Sequence, residues 1–363
     1  MKEQLIRKAE ELGFHKIAFI PVQPMPAWDE AIRVRKVLDP DSADYWESRG
    51  LVSDCEFVME NAKIIIAAIY PHQPYRKNLS KGQGTYSAHY EAYPKGRSSI
   101  AELGRLLTKQ GYDVAVDPPV PAKQIAYLSG LGQFGKNGLI HHPGLGSYLT
   151  LHILLTNAEL APDDIKPGEI SDCGTCKLCI DACPMQAIKE NGVVLVSRCM
   201  RFYMLSSGIV PTEVREKLGN RVIGCEECQI VCPKNQAGTE HHMELENSPN
   251  FIDIRKLLSD YRTGLKKHME PIGDRIGKNY ARPQRILSMA IIVAGNSDDE
   301  TYLPFLVETL QHSHPAIRAH SAWAIGKLGD KHVYEILLEA QKQEEHPDVQ
   351  RDIEHALQRV VIE

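Results

Sequence analysis

The sequence predicts an α+β multidomain protein, and three observations carry that expectation. Apolar runs alternate with helical patterns up to about residue 165; eight of the nine cysteines fall between 173 and 232; and the C-terminal third is helical with regularly spaced prolines. A chain of 363 residues also exceeds what one hydrophobic core usually organises. The expected domains are 1–165, 166–240 and 241–363. Hydrophobic residues at 43% and charged residues at 25% suit a soluble globular chain. The longest apolar run, 64–69, is too short to span a bilayer. The N-terminal MKEQLIRKAEELGFHK is amphipathic with mixed charge and has no signal-peptide core or cleavage site, so a cytoplasmic, membrane-free protein is expected.

Within 1–165 the periodicity predicts a helix over 2–12, strands over 16–20 and 63–70, a helix over 98–110 and a strand over 112–117. A glycine-rich passage follows, LSGLGQFGKNGLIHHPGLGSYLTLHILLTN. Its glycines at 130, 132, 135, 138, 144 and 146 allow tight turns and close approach of backbone to a flat or bulky ligand. GLGQFG superficially suggests a dinucleotide fingerprint. It does not directly follow a strand or open a clear helix, which argues against that reading.

In a reducing compartment nine cysteines point to metal or redox chemistry rather than disulfides. CGTCKLCIDACP places Cys173, Cys176 and Cys179 two residues apart, then Cys183 followed by Pro184. This is the bacterial ferredoxin-like run, whose fourth cysteine serves the other of two clusters. The second set is GCEECQIVCPK, with Cys225, Cys228 and Cys232, and Cys199 upstream. The implied pairing is crossed: Cys173, Cys176, Cys179 and Cys232 on one [4Fe-4S] cluster, Cys183, Cys199, Cys225 and Cys228 on the other. Two zinc sites are the competing reading, although zinc thiolates usually come as two knuckles separated by a longer loop. Cys55 reads as a small buried hydrophobe.

Pro283, Pro315 and Pro347 recur every 32 residues, each opening a helical pattern. That is the grammar of HEAT-like repeats, stacked helix pairs that offer either a scaffold or a concave binding surface. The net charge of −5 gives no global sign of nucleic-acid binding, yet from Arg255 to Arg285 nine Lys or Arg face three acids. Such a local patch suits phosphate contacts, with a solvated helix face as the alternative.

This order of parts, with VDPPVPAK (116–123), GLGQFGKNGLI, GSYLTLHILLTN, CGTCKLCIDACPMQAI and GCEECQIVCPKNQ, resembles the epoxyqueuosine reductase family over essentially the whole chain. The resemblance implies a nitroreductase-like α/β cobalamin domain, a two-cluster domain and a HEAT-like tail that holds a tRNA anticodon arm. The reaction it implies is reduction of the epoxide of epoxyqueuosine to the alkene of queuosine. Low-potential clusters, charged by an external electron donor, would feed cobalamin. No DxHxxG motif supplies cobalt with a histidine; the nearest approach, Asp330-Lys331-His332, has Glu335 in place of the glycine.

By the same resemblance Asp117 is the proton donor, a role that requires burial, since a free Asp is ionised at neutral pH. Lys136, Asn137, Ile140, Leu151, Cys225, Glu226, Glu227 and Cys228 are expected along the corrin ring, although Lys136 and Asn137 could instead cap a turn. Lys266, Lys267, Arg282 and Arg285 are expected on tRNA, in a monomer. The sequence departs from the family's usual wording at Gln133 and at His89-Tyr90. Two other readings are a small-molecule corrinoid reductase similar to the reductive dehalogenases and an electron-transfer protein that reactivates another corrinoid protein.

Overall fold

The computed structural model describes residues 1–74, 83–164, 167, 173–235 and 251–362, with backbone only at 251, 361 and 362. The expected borders at 165/166 and 240/241, and the last residue of GCEECQIVCPKNQ, lie outside the described residues. The chain divides into two compact units, one of residues 1–74, 91–199 and 226–244 and the other of 75–90, 200–225 and 245–363. Each unit is therefore assembled from separated stretches of chain, and the cysteine-rich segment contributes to both.

The strands are β1 (Lys16–Pro21), β2 (Ile64–Pro71), β3 (Gln83–Tyr86), β4 (Val114–Val116), β5 (Gln133–Phe134), β6 (Ile140–His141), β7 (Leu149–Thr156), β8 (Arg221–Ile223) and β9 (Phe251–Asp253). The first unit is built on a sheet of order β1-β2-β7-β4 with every pairing antiparallel. Its centre is buried on both faces, which explains why β2 reads as one unbroken apolar run rather than an alternation. Ile65, Ala67 and Ile69 join Ile153 and Leu155 beneath the helix Ala122–Leu128, with Ile125 and Leu131. Ile64, Ile66 and Ala68 face the other way, toward Leu5, Ala9, Ile100, Leu103 and Leu107. Those residues belong to the helices Lys2–Glu11 and His89–Lys109.

The latter helix begins nine residues before the expected 98 and runs through Pro94, which removes one helical donor. The helices Pro26–Leu38 and Ala43–Arg49 had no counterpart in the periodicity, because neither buries a residue fully. They meet through an edge contact of Trp28 with Trp46 at 6.2 Å. Cys55 is fully buried, and burial, reinforced by the Asp54 charge, pushes its thiol up to about 11. It is the inert core residue expected.

The second unit carries the sheet β8-β3-β9 and the helices Pro283–Gly295, Leu303–Thr309, Pro315–Leu328, Tyr334–Gln343 and Pro347–Ile362. Each of the three repeat prolines opens its helix, where the missing N–H costs nothing. Tyr90 is fully buried in this unit and its phenol oxygen accepts from Arg201 Nε at 3.1 Å. The repeats are pinned to the segment before them by Arg215, whose side chain is 2% exposed. Its two terminal nitrogens donate to the two carboxylate oxygens of Asp352, each at 2.8 Å.

Removing one partner of this pair strands a buried charge. Asp352→Ala is expected to destabilise the protein by about 3–5 kcal/mol. The double variant Arg215→Met/Asp352→Leu is expected to recover most of that loss. Denaturant unfolding of the three proteins checks both outcomes.

Candidate active site

The turn between β5 and β6 anchors both cysteine loops. Lys136 Nζ donates to the carbonyls of Gly174 at 2.7 Å and Cys176 at 3.0 Å. Asn137 Nδ2 donates to the Cys228 carbonyl at 3.4 Å, while its Oδ1 accepts from Leu139 N and lies 3.2 Å from His141 Nε2. The polar ends of both residues are therefore engaged with the cysteine loops or the hairpin. Ile140 is 3% exposed and packs in the sheet core, and Leu151 is half-buried against the same core. Glu226 and Glu227 are half-buried.

Just before β7 the chain meets the second cysteine loop. Gly146, at φ +61°, lies so close that a Cβ would collide with Asn235 Oδ1 and with the Lys234 carbonyl. The glycine-rich passage thus makes a close approach here to its own chain rather than to a ligand. Asn235 Oδ1 accepts from Ser147 N at 2.6 Å, and Asn235 Nδ2 donates to the Gln229 carbonyl at 2.7 Å and to Ser147 Oγ at 3.1 Å. Gln229 Nε2 returns a bond to the Ser147 carbonyl at 2.9 Å. All three side chains are buried, so the network is satisfied internally. Sequence reasoning missed it, although Asn235 stands directly beyond the CPK that ends the cysteine run.

The thiols of Cys179 and Cys232 are both raised, first by burial. Each also feels Cys173 and Cys176, and Cys179 feels Cys232. The four sulfurs thus lie within reach of one another's charge. Cys183 Sγ accepts from Ala187 N at 3.3 Å. Cys199 and Cys225 are half-buried.

Asp117 ends β4 in the left-handed region, φ +42°, immediately before Pro118. A backbone bond from Asp117 N to the Ile153 carbonyl, 2.8 Å, continues the pairing with β7. Its carboxylate is 6% exposed: Oδ1 accepts from Ile153 N at 2.9 Å, and Oδ2 lies 2.9 Å from His152 Nδ1. His152 is a partner the sequence reading did not name.

Lys266, Lys267 and Arg282 are exposed, whereas Arg285 is only 8% exposed and donates Nη1 to the Asn279 carbonyl at 3.2 Å. Burial and the neighbouring Arg282 charge depress its basicity. Arg285 lies in the first turn of the helix Pro283–Gly295 with its side chain folded inward, so of the four residues expected on tRNA only Lys266, Lys267 and Arg282 are exposed. Two further cations of the patch are held within the tail, Arg255 by Asp299 and Arg262 by Glu308.

Comparison with known proteins follows the same division. Residues 172–235 match the model of a 4Fe-4S double cluster binding domain and residues 280–358 that of HEAT repeats. The epoxyqueuosine reductase of Bacillus subtilis is 28% identical across 99% of this chain and 95% of its own. A solved epoxyqueuosine reductase with a tRNA-Tyr epoxyqueuosine-modified stem loop is 26% identical, with a TM-score of 0.84 over 99% of this chain and 98% of that one. The chain belongs to the epoxyqueuosine reductase family. Members are oxidoreductases, and the double-cluster match favours iron–sulfur clusters over zinc. In a Bacillus subtilis structure of the family (27% identical, TM-score 0.84, 99% of this chain and 98% of that one) the catalytic aspartate loop is swung out of the active site. Among the described residues no helix is long and apolar enough to cross a membrane.

Asn235→Ala deletes several buried bonds at about 1 kcal/mol each. It is expected to lower stability by roughly 2–4 kcal/mol and to speed loss of iron on dilution into chelator, read from the cluster absorbance. A pH effect follows from two buried histidines. Burial, helped by Lys234, lowers His141 to about 4, and burial beside Arg215 takes His320 well below its ordinary value. Both stay neutral in the fold while the unfolded chain takes up protons below about pH 6.5. Stability is therefore expected to be full above that pH and to fall steadily toward pH 4. Denaturant midpoints across this range check it; a flat profile contradicts it.

Proposed function

We propose that the protein reduces epoxyqueuosine in tRNA to queuosine. The balance is two electrons and two protons in, one oxygen out as water, with an alkene left in the cyclopentane ring. The observation that carries this reading is near-full-length family membership joined to a buried aspartate at the end of β4. The parts divide into an N-terminal catalytic region, a cluster region and a repeat tail. Cys173, Cys176, Cys179 and Cys232 hold one cluster; Cys183, Cys199, Cys225 and Cys228 hold the other. An external low-potential donor charges them in the cytoplasm, and the protein works as a monomer.

Cobalamin, when bound, would supply a strongly reduced cobalt able to attack the epoxide carbon or pass it electrons. The side chains expected along its ring fit this only in part. Lys136 and Asn137 are committed to the cysteine loops and Ile140 to the core. Leu151 and the Cys225–Cys228 loop remain as contacts, and no step is derived through the ring.

Asp117 gives a proton to the departing oxygen. The tRNA backbone rests on the exposed Lys266, Lys267 and Arg282, while the modified base is turned out of its stack.

The test is anaerobic turnover of epoxyqueuosine-containing tRNA by the cluster-loaded, cobalamin-supplied protein. Asp117→Asn is expected to cut turnover roughly 100- to 10,000-fold while leaving iron content and tRNA affinity unchanged. Unaltered turnover removes Asp117 from the reaction. Reversing Lys266 and Lys267 to Glu is expected to weaken tRNA binding and lower its salt slope by about two, with the cluster spectrum unchanged. An unchanged slope places the tRNA elsewhere.

A further inference from the structure

Asp117 is the end of a buried chain of hydrogen bonds that the mechanism above does not use. His152 lies on the face of β7 that looks toward the helix His89–Lys109 and is fully buried. Its Nδ1 is 2.9 Å from Asp117 Oδ2 and its Nε2 is 2.9 Å from Thr150 Oγ1. Thr150 Oγ1 in turn donates to the Tyr70 carbonyl across the strand pair, at 3.5 Å. The ring is held between Tyr93 of the helix, centroids 5.0 Å apart, and Phe14 at 6.2 Å. Space for it exists because position 96 is glycine; a Cβ there would collide with Nε2. The helix and β7 therefore make room for one imidazole.

We propose that His152 is the positioning residue of the acid, holding Asp117 in one place in both of its protonation states by exchanging tautomer. This rests on the reading of Asp117 as proton donor. With the carboxylate ionised, Nδ1–H donates to Oδ2 and Thr150 O–H donates to Nε2. With the carboxyl protonated, Oδ2–H donates to Nδ1, Nε2–H donates to Thr150 Oγ, and the threonine hydroxyl turns to the Tyr70 carbonyl. Asp117 gains the one added proton while the imidazole stays neutral, its own proton now on the other nitrogen. A hydroxyl suits the far end because it can donate and accept. Ile153 N–H binds Oδ1 throughout. Each resting state of the acid thus has its full set of partners, and the Oδ2–H bond to Nδ1 is given up only as the proton passes to the departing oxygen. Among the described residues, the titratable groups facing the ring are Asp117 from the β4 end and Tyr93 from the helix.

Two measurements decide this, one of them independent of turnover. Nitrogen-15 histidine spectra of the full chain with oxidised clusters are expected to show the His152 proton on Nδ1 at high pH. As Asp117 protonates, the proton should move to Nε2, and in Asp117→Asn this exchange should vanish. A tautomer that stays fixed across the titration, or an imidazolium appearing in the same step, overturns the proposal. In turnover, His152→Phe fills the space without nitrogens and should lower kcat at least about tenfold with KM for the tRNA within about twofold. His152→Asn, which keeps a donor at the Nδ1 position, should fall between it and the parent. Parent-like kcat in a folded, cluster-loaded His152→Phe overturns the proposal. If the parent protein itself fails to reduce epoxyqueuosine tRNA, the functional reading fails, and the spectra still decide the role of His152.

Discussion

The buried bonds among Ser147, Gln229 and Asn235 are the constraint on which the first unit depends. They join a cysteine loop, which cannot form a hydrophobic core of its own, to the start of the central strand β7. Gly146 permits this because any side chain there would displace Asn235. Lys136 and Asn137 repeat the principle nearby, one ammonium holding the first cysteine loop and one amide the second. Loop positions that carry redox groups are thereby referred to a rigid sheet, which electron transfer over a fixed gap requires.

The same strand holds Asp117. Just before β7, Gly146 and Ser147 meet the cysteine loop, and further along β7 offers His152 and Ile153 to Asp117. Its neighbours β2 and β4 supply the Tyr70 carbonyl and the aspartate itself. One buried strand and the residues just before it thus hold both a cysteine loop and Asp117.

Much of this was legible in the sequence. Thiolate spacing is dictated by cluster geometry, so the double-cluster segment could be read from the cysteines and prolines alone, and the 32-residue proline period gave the repeats. The helix Lys2–Glu11 and strands β1, β2 and β4 followed from periodicity. β7 was hidden by its own apolar continuity and by the glycines before it, which drew attention to a ligand instead of to Asn235. The helices Pro26–Leu38 and Ala43–Arg49 lack a fully buried face, so no periodic signal existed to find. Arg285 was misplaced because charge is visible in sequence and burial is not. His152 could not be singled out, since its partners lie on β4 and on the helix His89–Lys109.

The account stands on electrons stored in the clusters ending in a lost epoxide oxygen. Its most direct measurement is a single-turnover experiment in which pre-reduced protein, freed of excess reductant and supplied with cobalamin, meets epoxyqueuosine stem-loop RNA. Cluster oxidation is followed optically and the base by mass spectrometry. One queuosine formed for every two electrons leaving the clusters is the predicted result. Clusters that oxidise while the base retains its oxygen would contradict it.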